Sequence, residues 1–142
     1  MSLLIRPFSS EKSKRFASIL NEIHFAEELG MLSDNLHRMM RTYSVDTNIK
    51  ALKAQFSQVM VMEPVNASLS EVIAYRRQNQ MELSQQEFQR LMNDLVLAVS
   101  ALHAKKVAHC DIRPSNVYFS TQKNCYVLGG YGSCCRVNEE HQ

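Results

Sequence analysis

His109-Cys110-Asp111-Ile112-Arg113-Pro114-Ser115-Asn116 is the stretch that decides how the rest of the chain is read. Asp, Pro, Ser and Asn are turn formers, so residue types alone describe a surface turn. The flanks add more. Upstream, Ser84 and Glu87 form an S-x-x-E capping box. Phe88, Leu91, Met92, Leu95, Val99 and Leu102 follow at spacings of three and four, one apolar stripe on a helix from Ser84 to Ala104. Downstream, Val117-Tyr118-Phe119 and Tyr126-Val127-Leu128 read as a short hairpin around the polar turn Ser120 to Asn124.

Helix, Asp111, Asn116 and hairpin in that order resemble the catalytic loop of the protein kinases, in which His-Arg-Asp is followed by four residues and then Asn. The resemblance implies that Asp111 accepts the substrate hydroxyl's proton and that Asn116 holds a magnesium ion. It also implies that His109 is a packing histidine and that Arg113 stands where serine/threonine kinases carry a phosphate-steering lysine. Cys110 replaces the arginine of the motif. Leu102-His103 through Val107-Ala108-His109 is similar to the family's entry into that loop.

The likeness extends toward the N-terminus. Val59-Met60-Val61-Met62-Glu63 is an apolar run, which by periodicity reads equally as any buried strand ending at Pro64. By its place in the series it resembles the strand that enters the hinge between kinase lobes. Met62 is then the gatekeeper, and Glu63, Pro64 and Val65 are the hinge. Ser68 and Glu71 form a second capping box, opening a short helix through Val72, Ile73 and Tyr75. Before the strand, Ser10 to Glu28 carries Phe16, Ile19, Leu20, Ile23 and Ala26 on one face and stops at Gly30. This segment is similar to the kinase regulatory helix. Glu22 falls where the family pairs a glutamate with its nucleotide-anchoring lysine, although it reads equally as a solvated helix-face residue. Arg6, in Leu3-Leu4-Ile5-Arg6, stands in the place of that lysine. Met62, Glu63, Val65, Glu22 and Arg6 are thus the residues that the resemblance assigns to nucleotide binding.

The departures matter as much as the matches. The metal-binding Asp-Phe-Gly of the family corresponds here to Gly130-Tyr131-Gly132, and glycine has no carboxylate with which to hold magnesium between phosphates. Arg6 offers a planar fork in place of a compact charge. Cys110 removes the cation that receives a phosphorylated activation loop in many kinases. No glycine-rich loop precedes the first strand and no Ala-Pro-Glu is present, so the expectation is a truncated kinase-like domain.

A chain of 142 residues with 45% hydrophobic content can bury one core. Sixteen basic and 14 acidic residues give a net charge of +2 with no basic block, which argues against nucleic acid. No run is long enough to span a bilayer, and Met1 to Phe8 is too short for a secretory signal. The expected location is intracellular, in the cytoplasm. Cys110, Cys125, Cys134 and Cys135 lack paired C-x-x-C spacing, and reduced thiols are the default there. A zinc site using them with His109 or His141 is the less favoured alternative. The eight methionines are read as core filler.

The expectation is therefore an α+β, partial protein-kinase-like fold spanning 1–142. Residues 1–62 form a partial small lobe, 63–65 the hinge and 66–142 a partial large lobe. Its function is expected to be that of a catalytically impaired pseudokinase module binding a protein partner, or a second copy, through the Phe88 to Leu102 helix face, left without its usual cover. ATP and magnesium are expected to bind weakly or not at all. The alternative is a serine/threonine protein kinase using Asp111 as base and Asn116 as the remaining metal ligand.

Overall fold

The computed structural model describes residues 2–7, 13–44 and 56–138, with side chains described over 17–43 and 59–138. In chain order the elements are β1 (Ser2–Pro7), α1 (Ser13–Leu29), β2 (Met39–Ser44), β3 (Phe56–Met62), α2 (Leu69–Gln78), α3 (Gln85–Ala104), β4 (Val107–Ala108), β5 (Val117–Ser120), β6 (Cys125–Leu128) and β7 (Cys135–Arg136). Single 3-10 turns lie at Pro114–Asn116 and Tyr131–Ser133. The class is α+β, as the sequence implies.

Three antiparallel strands form the first sheet in the order β1, β3, β2. β3 is central, with Leu3 opposite Val61 on one side and Tyr43 opposite Val59 on the other. β2 is not foreseen in the sequence, because Met39 to Ser44 lacks a clean alternation, and its pairing shifts register between Met39 and Arg41. Met60 and Met62 of β3 are buried and Met39 packs against the core, whereas Met31, Met40, Met81 and Met92 are exposed, so the reading of methionine as core filler holds for only some of them.

Both capping boxes form as read. Ser68 Oγ accepts from Glu71 N while the Glu71 carboxylate accepts from Ser68 N, and Ser84 and Glu87 repeat the arrangement. Each pair satisfies two helix N-terminal donors that would otherwise face water. Arg76 of α2 then bonds bidentately to Glu87 of α3, both distances being 2.8 Å. This holds the Glu87 carboxyl at about 2, chiefly through the Arg76 hydrogen bonds and then through Ser84 N.

One core joins the helices to the hairpin. Phe25, Ala26 and Leu29 of α1 meet Leu91, Ala98 and Leu102 of α3, together with Val107, Val117, Leu128 and Tyr131. Leu102 and Leu128 are fully buried, each contributing about 1.5 to 3 kcal/mol relative to exposure. The α3 stripe is corrected by this packing. Leu91 and Leu102 lie in the core, Leu95 and Val99 pack against it, and only Phe88 and Met92 of the six are exposed. β6 covers the line Leu91, Asp94, Ala98, Leu102, and Asp94 belongs there because its Oδ2 accepts from Tyr126 N at 2.9 Å. The apolar side chains left open are Phe88, Met92, Val96 and Leu97.

Candidate functional site

After α3 the chain turns through Lys106, at φ 56°, into β4 and then the loop that begins at His109. His109 is buried; its Nε2 lies 2.8 Å from Gly129 O, and its Nδ1 accepts from Asp111 N at 3.2 Å. A backbone N–H can only donate, so the ring must be neutral with its proton on Nε2. Burial also lowers its pKa. This histidine fixes where Asp111 starts and where the hairpin ends. Its expected packing role is what the geometry provides.

Asp111 is half-buried and engaged on both oxygens. Arg113 Nε lies 3.2 Å from Oδ1, and Asn116 Nδ2 donates to Oδ2 at 3.1 Å and to Asp111 O at 2.9 Å. The turn Pro114–Asn116 delivers Asn116 to this position through its N–H bond to Arg113 O. Asp111, Arg113 and Asn116 are therefore brought together as the sequence implies. Arg113 is largely exposed, so its ion pair with Asp111 adds little to stability.

Gly129 N donates to Asn116 O at 2.8 Å, which sets Gly130 directly against the Asn116 side chain. A Cβ built on Gly130 would meet Asn116 Oδ1 at 2.3 Å and Cγ at 2.4 Å, and the residue has φ +70°. The Asn116 amide thus fills the volume that any side chain at 130 would need. Position 130 offers no side-chain ligand to a metal, and among the described residues no group of three or more His, Cys, Asp or Glu could hold one. Gly130→Ala should cost about 2 kcal/mol, from left-handed backbone and from the displaced amide. Denaturant unfolding of Gly130→Ala, Asn116→Ala and the double variant measures it. The amide explanation requires the alanine to cost less once Asn116 is gone; equal cost in both backgrounds contradicts it.

At the end of β3, Glu63 is buried and committed to its own chain. Its N–H donates to Arg38 O at 2.9 Å, its Oε1 accepts from Arg38 N at 2.9 Å and from Lys123 Nζ at 2.8 Å, and its carbonyl accepts from His37 Nε2 at 3.0 Å. Lys123, in the hairpin turn, also reaches Asp34 O. His37 is itself buried, its pKa lowered by desolvation against the opposing influence of Glu63. Its ring packs on Tyr118 with centroids 5.4 Å apart, and a Cβ at Gly129 would come within 3.2 Å of it. Met62 is buried and Val65 half-buried beside this cluster. Arg6 falls on β1 opposite Gln58, and its side chain lies outside the described residues.

Tyr131 ties the residues after the hairpin to His37 and His109. It is 1% exposed, and its hydroxyl donates to His37 O at 2.8 Å, with Leu128 O at 3.1 Å. α1 grips the segment that follows: Asn21 Nδ2 donates to Gly132 O at 3.1 Å and to Cys134 O at 2.9 Å. Arg136 pairs with Glu28 and lies over the Phe25 ring. Glu22 is buried on the same side, next to Gly132, so it is not a solvated helix-face residue. His37, Asn21 and Lys123 escaped the sequence reading as site residues. They are isolated residues within polar or mixed stretches, and nothing in their spacing marks them.

A three-stranded sheet with its helix, a buried strand end, a capped helical pair and an Asp/Asn loop ahead of a hairpin define a protein-kinase-like domain. The family model described as the protein kinase domain matches residues 5–142, and the chain belongs to that family. Comparison with the curated proteins finds no match.

Proposed function

We propose that this chain is a catalytically impaired kinase-family module that acts by binding another protein. The observation that carries the impairment is Gly130, whose missing side chain is replaced in space by the Asn116 amide. With one of two expected magnesium ligands gone, the charge developing in phosphoryl transfer has no second anchor. Glu63 supports the same reading, since its N–H, carbonyl and carboxylate already have partners within the chain. A nucleotide seated there would have to compete for the Glu63 N–H, which has a single proton to donate, and share the carbonyl with His37. ATP and magnesium are accordingly expected to bind weakly or not at all. The alternative, serine/threonine phosphoryl transfer, draws on Asp111, Arg113 and Asn116 remaining in contact.

The binding surface proposed is α3, through the exposed row Phe88, Met92 and Val96 together with Leu97. Residues four apart stack on one helix face, and contiguous exposed apolar side chains mark interaction sites. No helix among the described residues is long and apolar enough to cross a membrane. The cytoplasm is the location the proposal assumes. Phosphate transfer tests the impairment, and sedimentation tests the binding face. Self-association through α3 should appear as a sedimentation coefficient that rises with concentration for the wild type and stays monomeric for Val96→Asp. Leu95→Asp, which places the charge against the core, should unfold instead. A wild type that is monomeric at every concentration removes self-association and leaves a different protein as the partner.

A further inference from the structure

Cys110 Sγ and Cys135 Sγ lie 3.6 Å apart, and both residues are exposed. Their proximity is built into the backbone. β4 pairs with β7 so that Ala108 faces Cys135, and Val137 N donates to Lys106 O at 2.8 Å just beyond. Cys110 then takes φ +67°, a left-handed turn that no glycine provides here. β7 is held from its other side by the Asn21 bonds and by the Arg136 to Glu28 pair. A disulfide needs sulfurs roughly 2.05 Å apart, which side-chain rotation at two exposed positions can supply. The remaining thiols are poorly placed to compete. Cys134 is 3% exposed, with its pKa pushed up to about 12 by burial, and Cys125 is half-buried beside Asp34 O.

We propose that Cys110 and Cys135 form a redox modification site, a dithiol that closes to an intramolecular disulfide by exchange with a small disulfide such as oxidised glutathione. One cysteine loses its proton, and the thiolate attacks a glutathione sulfur, giving a mixed disulfide and expelling one glutathione thiolate. The second cysteine, as thiolate, attacks the protein sulfur of that mixed disulfide and expels the other glutathione. The protein loses two electrons, the reagent gains two, and both protons finish on glutathione. The hydrogen bond with Cys135 raises the pKa of Cys110, so exchange quickens as pH rises. The bridge would tie the residue preceding Asp111 to the segment that α1 grips. This site stands whether or not the chain transfers phosphate.

The test is incubation of the full chain with oxidised glutathione, followed by intact mass, non-reducing peptide mapping and thermal melting. The expected product is lighter by two hydrogens, carries a Cys110–Cys135 linked peptide and melts roughly 5 °C or more above the reduced form. Dithiothreitol should reverse all three changes, and Cys110→Ser or Cys135→Ser should abolish the linked peptide. A stable glutathione adduct without the bridge overturns the proposal, as does a bridge through Cys125 or Cys134, or no reaction by folded wild type. Peptide mapping of the wild type decides even where a serine variant fails to fold.

Discussion

Tyr131→Ala should destabilise the folded chain by about 3 to 5 kcal/mol, the range for deleting a buried aromatic side chain. Domains of this kind are stable by only about 5 to 15 kcal/mol, so the variant should be partly unfolded at ambient temperature. The reason is position. Tyr131 is packed in the core with Phe25, Leu29, Leu128 and Cys134, its ring approaches His109 edge-on, and its hydroxyl binds His37 O. Removing it opens a cavity under the Asp111 loop and releases the segment that α1 holds. Tyr131→Phe should cost only about 1 kcal/mol, the worth of one hydrogen bond. Urea midpoints of the three proteins measure both steps. An alanine variant within about 1 kcal/mol of wild type would mean that this ring does not carry the packing assigned to it.

Acidification from pH 6.5 to 5.5 should weaken the fold steeply, because two buried histidines resist protonation. In the unfolded chain both titrate near pH 6.5. In the folded protein burial lowers the pKa of His37 and of His109. The unfolded state then binds more protons, so stability is fully present above about pH 6.5 and falls as pH drops below it. The slope per group is bounded at about 1.4 kcal/mol per pH unit, reached only where the unfolded chain binds a full proton and the folded chain none. Geometry agrees with the sign, since a proton on His109 Nδ1 would point at the Asp111 N–H now bonded to it. The groups around His37 are Glu63 and Lys123, whose opposing influences are smaller than the desolvation. The Glu28 and Glu87 carboxyls, held low by Arg136 and Arg76, lose their protons well below this window. Urea unfolding across pH 5 to 8 checks it. His37→Gln, which keeps a donor for Glu63 O without titrating, should flatten the profile; an unchanged wild-type stability down to pH 5.5 contradicts the assignment.

What could be read from the sequence was local. Ser68 with Glu71 and Ser84 with Glu87 are three residues apart, and that spacing is itself the capping geometry, so both helix starts fall where expected. The hairpin is legible because Val117 to Phe119 and Tyr126 to Leu128 are apolar runs around a polar turn; the strands observed are one residue longer on the turn side, Val117–Ser120 and Cys125–Leu128. Asp111 and Asn116 were found through a family pattern rather than through periodicity. Long-range polar contacts left no such trace. Lys123 reaching Glu63, His37 capping the Glu63 carbonyl and Asn21 bridging Gly132 and Cys134 join positions far apart in the chain. Asp94 accounts for the difference between the apolar stripe and the buried face of α3. A hydrophobic pattern passes over an aspartate, yet Asp94 lies on the buried line because Tyr126 N needs an acceptor, while Phe88 and Met92 turn outward.

The proposed impairment at Gly130 is tested most directly by transfer of phosphate from radiolabelled ATP, with magnesium present, to a generic protein substrate, measured for the wild type and Asp111→Ala side by side. The missing ligand at position 130 predicts no label above background for either protein. Label that is incorporated by the wild type and disappears in Asp111→Ala would contradict the proposal, because Asp111 would then be acting as a base with a metal that Asn116 and Gly130 do not by themselves hold.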